Sequence, residues 1–274
     1  MIYKEHDYTR ELDAAIRAAR EAGRHIQKRA ENLGDLQIRK KGLNDLVTEV
    51  DEAAQRIIIR ILEETFPTYE VLAEEGDMDA SERRAEGYRW IIDPIDGTTN
   101  FAHGVPPYSV SIGLQLVEEI VVGVVLDVSR NELFTAVRGN GLRVNGAPGS
   151  VSMTDTLSES LITTGFPYRS IGHIDLYLQV LGQFITKSRG LRRPGSAAID
   201  LAYVASGRFE GFFETGLLPW DVAAGLLLVE EGGGRVTDYR DRQNPVFAEQ
   251  LLATNGNIHV EMLELVKPMQ DVYQ

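Results

Sequence analysis

The chain has 274 residues, 28 Lys and Arg against 41 Asp and Glu, a formal charge of −13, and no cysteine. A chain this long can bury a large core without disulfides or structural zinc, and 43% hydrophobic with 25% charged residues is ordinary globular composition. These figures exclude cysteine nucleophiles and thiolate metal sites, and the acidity argues against a broad surface for nucleic-acid phosphates. The surplus acid fits a solvated surface or carboxylates gathered to hold divalent cations. The first residues mix acids with bases where a signal peptide would be continuously apolar. The most apolar window, Ile120 to Leu126, is far shorter than the ~20 residues a bilayer span requires. A cytoplasmic protein with no membrane partner and no direct nucleic-acid partner is therefore expected.

Taken in order, apolar residues at Leu12, Ala15, Ile16, Ala19, Ala22 and Ile26 predict an amphipathic packing helix. A second helical pattern runs from Val50 to Leu62, and Thr48 with Asp51 three residues later predicts a capping box at its start. Val71-Leu72 reads as a strand that ends at Glu74-Glu75-Gly76. Trp90-Ile91-Ile92 reads as a buried strand that stops at the turn Asp93-Pro94-Ile95-Asp96-Gly97. Strict alternation over Ser109–Leu116, then runs at Ile120–Leu126 and Leu133–Val137, predict an antiparallel meander, with Asn145-Gly146 a further turn. The second half adds a strand at Leu161–Thr164 and helices over Ile174–Ile185 and Ser196–Ser206, then a strand at Phe209–Phe213. A helix at Asp221–Glu231, strands at Arg235–Thr237 and Leu251–Thr254, and a last helix from about Asn257 complete the pattern. Such blocks predict a layered α+β or α/β architecture. A single unit over residues 1–274 is expected, with a weakly marked divide near 150–160.

The chemistry concentrates in WIIDPIDGTTNF, Trp90 to Phe101. Asp93 and Asp96 reach one small volume from a tight turn, and two like charges so close repel unless a cation lies between them. Gly97-Thr98-Thr99 adds N–H groups and hydroxyls suited to a phosphate oxygen. The window alone also fits a solvated turn. Glu74-Glu75 alone would be surface charge, and Asp221 alone would be an N-cap. All three acidic sites, however, stand at element ends where ligands from distant sequence can meet. His103 is the histidine nearest the motif, and the five histidines form no ligand cluster.

WIIDPIDGTTNF, with DLVTEVD (Asp45 to Asp51), AEEG (Ala73 to Gly76) and WDVAAGLLLVEEGGG (Trp220 to Gly234), resembles the inositol monophosphatase family of magnesium-dependent, lithium-sensitive phosphatases. The match in order and spacing runs from about Leu12 to Asn255. The resemblance implies an α/β/α/β/α sandwich of the sugar phosphatase (inositol monophosphatase/fructose-1,6-bisphosphatase) type, assembled as a homodimer. It implies Glu74, Asp93 and the Ile95 carbonyl as ligands of one Mg²⁺ and Asp93, Asp96 and Asp221 as ligands of a second, with two or three ions per site. Thr98 and Asp51 are implied as the pair that orients the attacking water, and Gly97 and Thr98 as phosphate-binding N–H groups. Lys40 would lie on a catalytic loop. Substrate contacts are implied at Asp96, Gly97, Thr98, Gly195, Ser196, Ala197, Glu214 and Asp221. Arg192-Arg193 fits a second phosphate or a solvated pair, and Gly165-Phe166-Pro167-Tyr168 falls in a loop that varies with substrate. The implied reaction is Mg-dependent hydrolysis of a phosphate monoester, inositol 1-phosphate first, with fructose-1,6-bisphosphatase or a dual activity as the alternative. An association role without hydrolysis is a third reading, against which every matched metal position keeps its carboxylate.

Overall fold

The structure is a computed structural model that describes residues 7–34, 36–42, 45–76, 85–168 and 171–272. The first helix, α1 (Thr9–Ala30), buries Ala14, Ala15, Ala18, Ala19, Ala22, Gly23 and Ile26 on one face. These residues are nearly all small, so the helix lies close: a Cβ on Gly23 would stand 2.6 Å from the Leu126 side chain. A hairpin of β1 (Ile38–Gly42) and β2 (Asp45–Thr48) leads into α2 (Glu49–Thr65). The expected capping box is present: Thr48 accepts from the Asp51 N–H, while the Asp51 carboxylate accepts from the Thr48 N–H at 2.9 Å.

Then come β3 (Glu70–Ala73), β4 (Tyr88–Asp96), the short helix α3 (Thr98–Ala102), and the meander β5 (Ser109–Leu116), β6 (Glu119–Asp127) and β7 (Glu132–Val137). The small strands β8 (Leu142–Val144) and β9 (Ala147–Pro148) close the first half. All seven strands from β3 to β9 pair in sequence order into one sheet, parallel at β3–β4 and antiparallel thereafter. The second half supplies β10 (Leu161–Thr164), α4 (Ile174–Lys187), β11 (Gly190–Arg192), α5 (Ala197–Ala205) and β12 (Gly211–Thr215). It ends with α6 (Pro219–Glu231), β13 (Arg235–Thr237), β14 (Gln250–Thr254) and α7 (His259–Val266). Its sheet has the order β11-β10-β12-β14-β13.

Helices α1 and α2 cover one face of the larger sheet, and α5 and α6 fill the space between the two sheets. The far face of the smaller sheet carries α4 and α7. The expected α/β/α/β/α layering is thus present. The middle layer is largely apolar where α6 crosses the large sheet, and it comes near enough that glycine is required: a Cβ on Gly123 would meet the Ala224 carbonyl oxygen at 2.7 Å.

Three local expectations need correction. The buried strand does not stop before Asp93: β4 runs on to Asp96, with a register shift in which Asp93 pairs with Ser111 and Asp96 with Ser109. Pro94 sits in that bulge, where a missing N–H costs no ladder bond. The strand expected over Phe209–Phe213 begins two residues later, at Gly211: the Glu210 backbone still bonds Leu161 and Asn255, but the Phe209 N–H is turned back to the Tyr203 carbonyl of α5. Asp221 is not the N-cap of α6. Leu218 holds that position, and Asp221, in the first turn, accepts its N–H at 2.7 Å.

Candidate active site

The chain returns to one place. The end of β3 delivers Glu74, the bulged end of β4 delivers Asp93, Ile95 and Asp96, and α3 delivers Thr98. Across from them stand Gly195, Ser196 and Ala197 at the start of α5, Glu214 and Thr215 at the end of β12, and Asp221 on α6. All of these line a single cleft of about 700 Å³, with His103, Phe166, Tyr168, Arg193 and Asp200 also in its wall. Lys40 lies on β1, and its side chain is outside the described residues.

Each acidic group is fixed by backbone chemistry. The Glu74 N–H donates to the Ile92 carbonyl at 3.1 Å, and the side-chain amide of Gln55 on α2 holds the next residue by donating to the Glu75 carbonyl and accepting its N–H. Asp93 accepts the Ile95 N–H at 3.0 Å. The Asp96 carboxylate is docked on the start of α5, accepting from the Ser196 hydroxyl at 2.6 Å, the Ala198 N–H at 2.7 Å and the Ala197 N–H at 3.3 Å. It therefore joins the two halves of the site. A second joint is Asn100, whose amide donates at 2.8 Å both to the Pro107 carbonyl and to the Pro194 carbonyl.

The electrostatics are those of crowded carboxylates. Asp93 is buried and lies well above the ordinary carboxylate range, pushed up by desolvation first and then by the charges of Glu74, Asp96 and Asp221. Burial also raises Asp96 and Asp51, in both cases against hydrogen bonds that favour the ion. Among the described residues no three potential ligands stand as a closed metal cluster. Yet Glu74, Asp93, Asp96 and Asp221 line one cleft, the two middle ones buried and the outer two half-buried, and carboxylates gathered in this way with the Ile95 carbonyl form a hard-oxygen donor set that fits a divalent cation. Thr98 links this floor to Asp51: its hydroxyl lies 2.8 Å from the Asp51 carboxylate and 3.0 Å from the Ile95 carbonyl.

The structure brings together every site residue expected from the sequence whose side chain it describes. Gly97 adopts a φ of +96° and has the Gly195 and Pro107 carbonyls 3.2 Å from where a Cβ would stand, so glycine is required there. Arg192 and Arg193 are both exposed, and the Arg193 guanidinium carbon lies 5.1 and 5.3 Å from the ring centroids of Phe166 and Tyr168. His103 is exposed at the cleft wall. Sequence reasoning passed over Asn100, Asp200 and Thr215. Asp200 carried a readable signal, an acid inside a helix of small apolar residues; Thr215 carried none.

The comparisons agree with this geometry. The model of the inositol monophosphatase family matches residues 7–271. A curated relative, Nus factor SuhB of Pseudomonas aeruginosa, is 41% identical over 259 residues, which are 94% of this chain and 96% of that protein. Among solved structures, the extragenic suppressor protein SuhB from Bartonella henselae superposes with a TM-score of 0.89 at 37% identity, over 94% of this chain and 99% of that one. Inositol monophosphatase from Anabaena gives a TM-score of 0.83 at 38% identity, over 96% and 97% of the two chains. The chain belongs to the inositol monophosphatase family.

Proposed function

We propose that this protein hydrolyses phosphate monoesters with Mg²⁺, inositol 1-phosphate foremost, and that Thr98 and Asp51 prepare the attacking water. The observation that carries this reading is the Thr98–Asp51 hydrogen bond at the edge of a cleft lined by Glu74, Asp93, Asp96 and Asp221. Glu74, Asp93, Asp96, Asp221 and the Ile95 carbonyl would hold the ions. Bound Mg²⁺ supplies charge neutralisation at the phosphate and at the departing alkoxide, and makes a neighbouring water more acidic.

The chain's own groups do the rest. With its hydrogen donated to Asp51, the Thr98 oxygen has a lone pair for a water hydrogen, and this aims the water. As the water attacks phosphorus, its proton passes to the Thr98 oxygen while the Thr98 hydrogen passes to Asp51 Oδ1. Burial holds the Asp51 carboxylate above its ordinary proton affinity, which suits a base better than an acid of normal strength. The N–H groups of Gly97 and Thr98 would hold phosphate oxygens, and Glu214, with Gly195 to Ala197, would face the alcohol. No covalent phosphoenzyme is required.

Fructose 1,6-bisphosphate remains the rival substrate, with Arg193 in the cleft wall as the group that would meet its second phosphate. Phosphate release from inositol 1-phosphate and from fructose 1,6-bisphosphate, with and without Mg²⁺, tests the assignment. We expect Mg²⁺-dependent turnover that favours the former, and a strong preference for the bisphosphate overturns it. The curated relative's name, Nus factor, supports a second and compatible reading in which this chain also acts as such a factor. That role would survive Asp93→Asn, whereas hydrolysis would not.

A cytoplasmic homodimer is part of the same proposal. Among the described residues no helix is long and apolar enough to cross a membrane.

A further inference from the structure

Of the carboxylates that would hold Mg²⁺, Asp93 and Asp96 stand within β4 and Asp221 within α6, whereas Glu74 is the first residue past the end of β3. A ligand outside regular structure needs its backbone fixed by other means. The two peptide planes that flank Glu74 settle where its side chain leaves the chain, because the first fixes φ and the second fixes ψ. The 73–74 plane is held by β4, whose Ile92 carbonyl accepts the Glu74 N–H at 3.1 Å. The 74–75 plane is held by α2, since Gln55 Oε1 accepts the Glu75 N–H at 2.9 Å. Gln55 Nε2 donates onward to the Glu75 carbonyl, so one amide grips the planes on both sides of Glu75. Gln55 is buried, 8% exposed, and its donor and acceptor meet the acceptor and donor of a single residue.

Asp51 and Gln55 stand four residues apart on α2, hence on one face of the helix. Asp51 accepts from the Thr98 hydroxyl at 2.8 Å, while Gln55 holds the corner that carries Glu74. That corner aims Glu74 at the cleft floor: after burial, the Glu74 charge is the largest influence raising the proton affinity of Asp93.

We propose that Gln55 is a positioning residue for the ion site, fixing the 74–75 peptide so that Glu74 is in place before Mg²⁺ arrives, and thereby setting the affinity for Mg²⁺ without touching ion or substrate. The inference rests on the phosphatase reading above, in which Glu74 is an ion ligand. A carboxylate already held loses little freedom on binding, whereas one on a loose corner must be ordered first, and binding weakens by that free energy.

The test is thermal denaturation of the full chain across a Mg²⁺ titration, with hydrolysis of inositol 1-phosphate measured on the same preparations. Gln55→Met removes both bonds while keeping an unbranched side chain of similar length and high helix propensity. The Mg²⁺ concentration for half of the Tm shift, and for half of full activity, is expected to rise about tenfold. At saturating Mg²⁺ kcat should be retained, because Asp51 and Thr98 keep their bond. Gln55→Glu keeps the acceptor for the Glu75 N–H, the bond on the plane next to Glu74, and should bind Mg²⁺ more tightly than Gln55→Met. Should Gln55→Met not fold, Gln55→Ala removes the same two bonds and takes its place with the same expected shift.

A Gln55→Met titration that runs parallel to the wild type, lower in Tm but with the same Mg²⁺ midpoint, would make Gln55 a packing residue. That result overturns the proposal and leaves the phosphatase reading intact. Equal weakening in Gln55→Met and Gln55→Glu overturns the part played by the 74–75 peptide. A wild type with neither a Mg²⁺-dependent Tm shift nor Mg²⁺-dependent turnover overturns both readings.

Discussion

At Thr98 a single hydroxyl has three possible duties: it can donate to Asp51, donate to the Ile95 carbonyl, or accept from a water. Replacement by alanine removes all three while leaving the Thr48–Asp51 cap of α2 in place. Thr98→Ala is therefore expected to lower kcat by about 10² to 10³ with a small change in Tm, the range for losing one positioned proton-transfer group. A Tm loss that matches the activity loss would show the hydroxyl to be structural. Gly165 illustrates a different constraint. Its φ is unexceptional, but the space a Cβ would occupy is filled by the Glu214 carboxylate. Gly165→Ala must swing Glu214 aside, so KM for inositol 1-phosphate is expected to rise roughly tenfold, the effect of about one lost hydrogen bond to a charged group. The same change should leave p-nitrophenyl phosphate turnover less affected.

Among elements, α6 ties the site to the packing of the middle layer. It carries Asp221 in its first turn and lies on the large sheet at Gly113 and Gly123, where even a methyl group meets α6 backbone. Gly123→Ala drives a Cβ to 2.7 Å from the Ala224 carbonyl oxygen, and overpacking of this kind costs about 1–3 kcal/mol. A fall in Tm together with weaker Mg²⁺ dependence of activity is expected. Gly182→Ala in α4 is the control: a Cβ there meets nothing within 4 Å, so the ordinary helical gain of about 0.5–1 kcal/mol should raise Tm.

Elements of this kind were legible in the sequence where one face is buried against one neighbour. The spacing of α1 follows from such one-sided burial, whereas β5 alternates although both its faces are buried, Val110, Ile112 and Leu114 in the core under α1 and α2, and Ser111 and Gly113 against α6. The capping box at Thr48 was equally readable, because both partners lie within four residues. What was not legible depends on pairing across the fold. The continuation of β4 through Asp93 and Asp96 requires knowing that Ser111 and Ser109 stand opposite. Taken alone Asp221 would be an N-cap, and its actual place in the first turn, bonded back to the Leu218 N–H, is set by the turn before α6. In the site, residues in local motifs were found. Asn100 was missed, since the Pro194 carbonyl it bonds is remote in sequence.

Over the described residues, α5 and α6 pack against strands of both sheets, so the segments on either side of residues 150–160 share one core layer. Acid should loosen this unit from the outer layer inward. His259 is fully buried, its ring between the Thr237 and Thr254 hydroxyls at 3.0 and 2.9 Å, and desolvation pulls its pKa from 6.5 down to about 4. The folded state thus binds fewer protons here than the unfolded chain. The stability contributed by the neutral ring is intact above pH ~6.5 and declines as pH falls toward 4, by roughly 3 kcal/mol at most. His259→Gln should flatten the Tm profile over that interval.

The charge of −13 poses the opposite question, since carboxylates crowded in the cleft floor oppose folding until a cation arrives. Mg²⁺ that binds only the folded chain stabilises it by about 2.7 kcal/mol at 100 times its Kd, and on the order of 5 to 10 °C in Tm follows for a chain of this size. Asp93→Asn has two effects of opposite sign. Removing one charge from among Glu74, Asp96 and Asp221 relieves repulsion, so without Mg²⁺ its Tm should equal or exceed that of the wild type. Removing the carboxylate all three surround should abolish most of the Mg²⁺ shift. Thermal denaturation of both proteins across a Mg²⁺ titration checks both signs at once, and a variant that starts lower yet gains as much as the wild type would show Asp93 to be a structural acid instead of an ion ligand.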